Sequence, residues 1–244
     1  DEDEDEDEDD TGDGETCCDC ERNSCNNGGG NGNCDKSGAS SESVCRDFDC
    51  NAFCSDANYT KSHVAVLFEY VNTNDEGANI VASVNAEPTL TAHEFTDLDE
   101  WVEALGRFET ALLPEFTGNA HSALSSKDAK DVKTFVERGG VLVSATDDFG
   151  KNHDFMNTVF GWNTRQYYWN GFQPAQQPGA DGTCFSAANG GPATLDDPSS
   201  TIWTDGRSDR FPEGAEILYS DGGRQIAAWR ISVQQGWVYM LAYD

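Results

Sequence analysis

The chain has 244 residues, enough for one sizeable α/β domain with a small appendage. Its 45 acidic and 15 basic side chains give a formal net charge of -30, which repels phosphate backbones and anionic lipid surfaces. The sequence also has no apolar run of about 20 residues. We therefore expect no nucleic-acid partner and no direct membrane insertion.

The chain begins with an acidic low-complexity segment, residues 1–16, whose composition favours a solvated tail. Within it, Asp9 to Glu15 partly resembles a calcium loop, because acidic residues alternate ahead of a glycine turn. Two interpretations stay open. Asp9 and Asp13 bind calcium, or the segment is an ordinary acidic tail, which we favour.

Residues 17–58 form a cysteine-rich segment that holds all but one of the 9 cysteines. Apolar side chains are nearly absent there, so disulfides rather than hydrophobic burial must fold it. Such density indicates an oxidising compartment, and we expect an extracellular or cell-surface location. The odd count leaves one thiol free or paired outside the chain. The predicted disulfide residues, with their pairing open, are Cys17, Cys18, Cys20, Cys25, Cys34, Cys45, Cys50, Cys54 and Cys184.

The sequon Asn58-Tyr59-Thr60 lies where the cysteine-rich segment meets the next region. This junction should be exposed, so Asn58 is a predicted glycosylation site. Because the first residue is Asp, we also interpret the chain as a piece of a longer or processed precursor.

Residues 59–244 alternate between strand and helix patterns, which predicts a parallel sheet with helices on both faces. Capping patterns at Asp97 and Ser125 start two of the helices, and a third covers Asp154 to Phe160. The turn Asp221-Gly222-Gly223 predicts a hairpin. The predicted strands are Val64–Phe68, Thr89–Phe95, Ala111–Leu113 and Val141–Val143, then short ones around Ile217, Ile226–Trp229 and Trp237–Leu241.

The blocks Ala111–Glu115, Leu124-Ser125, Phe135–Val143 and Gly236–Asp244 together resemble the class I glutamine amidotransferase-like superfamily, in particular its extracellular, non-catalytic members. The resemblance covers residues 63–244. It implies a flavodoxin-like three-layer sandwich with a mostly parallel sheet.

Active members of that superfamily hold a catalytic cysteine at a glycine-flanked turn from strand to helix, beside a histidine and an acid. Here no Gly-x-Cys-x-Gly occurs, Cys184 lies in an irregular stretch, and no histidine follows His153. Ser144 follows a strand but lacks the glycines of a nucleophile elbow. We therefore expect a degenerate member that is not an enzyme.

Carboxylates follow several predicted strands. In open α/β sheets ligands bind outside the carboxyl ends of the strands, where hard cations such as calcium find oxygen ligands. The candidate metal ligands are Glu69, Glu115, Asp147 and Asp148. Independent solvated loop acids are the favoured alternative, because acids are abundant throughout the chain.

Five aromatic residues cluster after the third predicted helix: Trp162, Tyr167, Tyr168, Trp169 and Phe172. Exposed, they would stack on sugar rings or form a protein interface; buried, they would cover the sheet edge, which we favour. By contrast, His63, His93 and His121 are isolated in sequence, and we expect ordinary surface or core roles for them.

These observations favour a non-catalytic structural or interaction module of an extracellular assembly, whose partners are other protein chains or copies of itself. No cofactor is expected, with calcium as the one candidate ion. Two alternatives stay open: a divergent carboxylate- or metal-dependent hydrolase, and a calcium- or carbohydrate-binding module.

Overall fold

The computed structural model describes residues 62–71, 76–146, 150–169, 173–195, 201–207, 209–222 and 225–241. All of them belong to one unit that spans Thr60–Asp244. The predicted tail, the cysteine-rich segment, the sequon at Asn58 and the acidic pair Asp9 and Asp13 lie outside the described residues, so those predictions stay predictions.

Up to Phe160 the described chain alternates between β-strands and α-helices, and β-strands follow it. The strands are β1 (Ser62–Leu67), β2 (Leu90–Phe95), β3 (Thr110–Leu113), β4 (Val141–Ala145), β5 (Gln166–Trp169), β6 (Ala175–Gln176), β7 (Thr201–Asp205), β8 (Glu216–Ser220), β9 (Gln225–Val233) and β10 (Gly236–Leu241). The α-helices are α1 (Glu76–Ala86), α2 (Leu98–Ala104), α3 (Ala120–Ala123), α4 (Ser126–Glu137) and α5 (Lys151–Phe160).

The strands form one mixed sheet in the order β2-β1-β3-β4-β10-β9-β7-β5, to which β8 adds through β9 and β6 through β8. The first four neighbouring pairs in this order, β2-β1, β1-β3, β3-β4 and β4-β10, are parallel. The pairs among β5 to β10 are antiparallel. The α/β class is thus confirmed, but the expectation of a mostly parallel sheet is wrong for the C-terminal part. Connections as short as the one between β9 and β10 permit only antiparallel pairing, since parallel pairing needs a long crossover.

Crossover handedness decides which face of the sheet each helix covers. The chain moves one way across the sheet from β1 to β2, then reverses to reach β3 and β4. Right-handed crossovers therefore place α1 on one face and α2 and α4 on the other. Accordingly, Val81 of α1 packs on Val64 and Val66 of β1, whereas the helices α2, α4 and α5 pack on the face that carries Ala65 and Leu67.

The predicted helix starts are confirmed in atomic detail. The Asp97 carboxylate accepts a hydrogen bond from the Glu100 amide at 2.9 Å, and Ser125 and Asp128 form a reciprocal capping box at the start of α4. After α4, Gly139 takes a left-handed φ of 111°, which glycine adopts without steric cost. The predicted hairpin is confirmed too, because β8 and β9 pair antiparallel on either side of Asp221.

Candidate functional site

The sheet reverses its strand order between β1 and β3, which is where open α/β proteins bind ligands. In this chain the main chains that follow the two strands are hydrogen-bonded across that position. The Tyr70 carbonyl accepts bonds from the amides of Thr117 at 2.7 Å and Gly118 at 3.0 Å. Val71 and Phe116 also form an antiparallel bridge. Backbone pairing therefore closes the crevice that would otherwise separate these strand ends.

Tyr70 adopts a left-handed backbone with a φ of 67°. A side chain at such an angle costs about 1–2 kcal/mol, so the surrounding contacts must hold it in place. The Tyr70 side chain lies against Gly118, where an added Cβ would come within 2.8 Å of its ring. Burial and the neighbouring Glu69 carboxylate raise the pKa of the Tyr70 hydroxyl. The Tyr70 side chain thus lies beside Gly118, in the chain that follows β3.

The predicted metal ligands are differently placed. The Glu69 carboxylate accepts a hydrogen bond from the Leu98 amide at 2.7 Å, at the amino end of α2, where a negative charge is favourable. Glu115 is partly buried, and Asp147 and Asp148 lie outside the described residues. Within the described ranges, no group of three or more His, Cys, Asp or Glu side chains is arranged to hold a metal ion. The four-carboxylate site stays a prediction.

Ser144 and Asn152 connect the carboxyl ends of β3 and β4. Ser144 is fully buried within β4, and its hydroxyl donates to the Ala145 carbonyl at 2.8 Å and accepts from the Asn152 amide at 3.1 Å. Asn152 also donates to Pro114 and accepts from the Phe116 amide, each at 2.9 Å. The expectation that Ser144 follows the strand is therefore wrong, because Ser144 lies within β4 and ties that strand to α5.

Cys184 and His153, the thiol and imidazole considered for catalysis, occupy different environments. Cys184 is exposed, and no disulfide links it to any described residue. His153 is 1% exposed, and its Nε2 lies 3.1 Å from the Thr204 hydroxyl. Burial lowers the pKa of His153 to about 4, so the ring is neutral at pH 7. The His153 ring is therefore in the interior beside Thr204, whereas the Cys184 thiol is at the surface.

One member of the predicted aromatic cluster, Trp162, can be placed. It is partly buried, stacks on Phe160 with ring centroids 4.4 Å apart, and meets Trp229 edge-on at 5.7 Å. The Trp162 ring thus packs against neighbouring aromatic rings while part of it stays exposed, so the favoured prediction of burial holds for it only in part. The side chains of Tyr167, Tyr168, Trp169 and Phe172 lie outside the described set.

A different group of apolar side chains remains partly exposed on the sheet face that α1 covers at one end. At the opposite end of that face, Phe185 and Ala180 pack on Leu218 and its neighbours. Next to this second covering lie four partly exposed side chains of β4 and β10, which we call the open strip: Val141, Val143, Trp237 and Tyr239. Of these, Tyr239 also contacts Phe185, with ring centroids 6.1 Å apart. Val141 pairs with Trp237 and Val143 with Tyr239, so all four project from the same face.

An ion pair on β8 and β9 borders the open strip. Arg230 lies opposite Tyr239 on the neighbouring strand, and its guanidinium carbon lies 4.4 Å from the centroid of the Trp237 ring. Two guanidinium nitrogens of Arg230 bind one Glu216 oxygen at 2.6 and 2.7 Å. These contacts fix the Trp237 ring in one orientation while part of it stays open to solvent.

Sequence reasoning missed both the open strip and a contact between two histidines. The two strands that carry the strip, Val141–Val143 and Trp237–Leu241, are continuous apolar runs in the sequence. Such a run predicts a strand that is covered on both faces, so it gave no sign that one face is partly exposed. The rings of His63 and His93 meet with 2.6 Å between Nδ1 and Nε2. Although 30 residues of sequence separate them, His63 and His93 are neighbours because they lie on adjacent strands.

No protein-family model matches the sequence, and no curated protein matches it. Solved structures similar to this chain include an exo-β-1,4-mannosidase from Opitutaceae bacterium strain TAV5, with 14% identity, a TM-score of 0.41 and coverage of 80% of this chain and 33% of the mannosidase. A cytoplasmic protein of Salmonella typhimurium LT2 gives 10% identity and a TM-score of 0.49 over 75% of this chain and 88% of its own.

A glutamine amidotransferase from Thermotoga maritima is also similar, with 11% identity, a TM-score of 0.43 and coverage of 75% of each chain. The chain thus spans a third of the mannosidase and three quarters of the amidotransferase. At these identities and TM-scores the likenesses establish neither a family nor an activity.

None of the helices in the described ranges has the length and apolarity needed to cross a bilayer.

Proposed function

We propose that this chain is a non-catalytic interaction module of a secreted or cell-surface assembly, in which the open strip binds a second copy of the chain. The observation that carries the proposal is the partial exposure of Trp237 and Tyr239 on a sheet face that α/β proteins ordinarily cover with helices. Under this proposal the chain is a degenerate relative of the amidotransferase-like superfamily, as its sequence blocks suggested.

The composition of the strip supports a binding role. Tryptophan, tyrosine and arginine dominate the residues that contribute most to protein interfaces, and they act best when neighbouring contacts hold them rigid. Trp237 and Tyr239 are held by the sheet, and Arg230 is held by Glu216 while it contacts the Trp237 ring. The apolar Val141 and Val143 beside them supply surface that a partner would remove from water.

The closed switch point supports the non-catalytic part of the proposal. A substrate entering between β1 and β3 would have to displace Tyr70 and break its bonds to Thr117 and Gly118. The Glu69 carboxylate accepts a hydrogen bond from the Leu98 amide, and within the described ranges no group of three or more His, Cys, Asp or Glu side chains is arranged to hold the ion that a metal-dependent hydrolase would need. The carbohydrate-binding alternative needs the predicted aromatic cluster to be exposed, and the described member, Trp162, packs against Phe160 and Trp229.

Because the chain is strongly charged, its self-association should depend on ionic strength. Two copies of a chain with a net charge of -30 repel each other at low ionic strength. Salt at about 0.5 M shortens the Debye length to roughly 4 Å and leaves apolar contacts intact. Association through the open strip should therefore strengthen as salt is added, whereas association through surface ion pairs would weaken.

The test is sedimentation velocity of the full oxidised chain over a range of concentrations at low and high salt. We expect reversible association that Val143→Glu abolishes. Ala78→Glu adds the same charge at an exposed position of α1 and is the matched control, which should associate like the unmodified chain. Circular dichroism establishes that both variants are folded. A chain that sediments as a monomer at every concentration and salt, or a folded Val143→Glu variant that associates normally, would overturn the proposal.

A further inference from the structure

We propose that His63 and His93 together form a binding site for a divalent transition-metal ion such as Zn²⁺. His63 lies on β1 and His93 on β2, two parallel strands at one edge of the sheet. His63 pairs in register with Thr91, so His93 lies two residues further along on the same face. This diagonal placement brings Nδ1 of one ring to 2.6 Å from Nε2 of the other.

The distance is close to what a shared metal ion requires. Ligand bonds of about 2.0–2.1 Å at angles between 90° and 109° place two imidazole nitrogens about 2.9–3.3 Å apart. The two rings need to separate by only a few tenths of an ångström from their hydrogen-bonded position, which exposed side chains can do. In the absence of metal, one proton lies between the two nitrogens, and an ion would replace it.

Neighbouring aromatic rings limit the positions that the His93 ring can take. Phe108 meets it edge-on with centroids 5.4 Å apart, and Phe108 in turn contacts Phe95 at 5.8 Å. Partial burial and the neighbouring His63 lower the pKa of His93, which favours the neutral form of that ring. Neutral imidazoles are the form that binds zinc, copper and nickel.

The pair supplies two ligands to the ion. This agrees with the lack of any group of three or more ligating side chains in the described ranges. The strongly negative chain raises the local concentration of cations around this exposed edge. A site of this kind is distinct from the predicted calcium sites, because imidazole nitrogen suits transition metals and calcium takes oxygen ligands.

The test follows the ring nitrogens of all 4 histidines by ¹H–¹⁵N correlation NMR of the full oxidised chain during a Zn²⁺ titration. We expect Nδ1 of His63 and Nε2 of His93 to shift together and to saturate, while the His121 ring keeps its positions. His93→Gln should weaken Zn²⁺ binding at His63 at least tenfold, and His121→Gln should not change it. Lowering the pH from 7.5 to 5.5 should weaken binding, because protons compete for the same nitrogens.

His93→Gln retains a side chain of similar polarity on an exposed edge, and its amide spectrum reports whether the fold is intact. Zn²⁺ bound by the acidic tail or by cysteines would appear in all variants and would leave the His63 and His93 ring signals unmoved. If those ring nitrogens do not shift at saturating Zn²⁺, or shift no more than those of His121, the proposed site does not exist.

Discussion

The two faces of the parallel part of the sheet are both apolar, but helices cover one face more completely than the other. On one face, α2, α4 and α5 bury Ala65, Leu67 and Leu142 completely. On the other, α1 covers only the end near β2, and the open strip remains partly exposed. Apolar strand residues are therefore fully buried on one face and partly exposed on part of the other. The covered face stabilises the fold, and under the proposal above the open strip binds a second copy of the chain.

The largest expected effect compares one tryptophan from each face. Trp101 on α2 is fully buried, donates a hydrogen bond to the Ala65 carbonyl at 3.3 Å and contacts Phe155. Trp101→Ala should lower the free energy of unfolding by about 3–5 kcal/mol, as truncation of a buried aromatic usually does. Trp237→Ala should cost about 1 kcal/mol, mainly through its loss of contact with the Arg230 cation.

Urea denaturation of both variants measures this difference. The m-value should stay unchanged in each, because the same surface is exposed on unfolding. Equal losses of stability would mean that the open strip is part of the structural core after all, and that the contrast between the two faces is wrong.

The covered face also contains a polar exception, His153 on α5, and its titration gives the next largest effect. The folded pKa is about 4, against about 6.5 in an unfolded chain. As the pH falls below 6.5, the unfolded state takes up a proton that the folded state does not, so stability is present above pH 6.5 and is lost as the pH falls. The loss at pH 4 should be about 3 kcal/mol.

His153→Leu removes this ionisable group, so the difference in unfolding free energy between variant and unmodified chain should change in the variant's favour between pH 7 and pH 4. Measuring the difference cancels the carboxylates that titrate in both chains. His121→Gln, at a partly exposed position, is the control and should follow the unmodified profile. Parallel profiles for His153→Leu and the unmodified chain would show that His153 does not titrate with a lowered pKa.

Much of the covered face could be predicted from the sequence. The capping residues Asp97 and Ser125 and the apolar runs of β1 and β4 each specify local structure through short-range chemistry, and the structure agrees with them.

Helix α1 was missed, because its sequence of small and β-branched residues has weak helical preference. Gly77 at its start suits close packing, since a Cβ there would meet Val71 at 2.7 Å, and no sequence pattern shows that neighbour.

The sites were predicted less well than the fold, for a physical reason. The contact between His63 and His93, the closure around Tyr70 and the pairing of Val143 with Tyr239 depend on which strands become neighbours. Strand order is decided by long-range packing, whereas sequence patterns report mainly which face of a strand is apolar. The strand-end rule selected Glu69 as a metal ligand, and in the structure its carboxylate accepts a hydrogen bond from the Leu98 amide at the start of α2.

The smallest expected effect concerns the ion pair that borders the open strip. The side chains of Arg230 and Glu216 are 17% and 43% exposed, so solvent screens much of their attraction. Glu216→Gln keeps the shape and removes the charge, and it should lower the free energy of unfolding by about 0.5 kcal/mol at low salt and by less at 1 M salt. Glu213→Gln changes the same charge at an exposed position three residues earlier and should have no measurable effect. A loss above about 2 kcal/mol for Glu216→Gln would indicate a desolvated pair that the fold needs, and the open strip would then resemble the covered face rather than contrast with it.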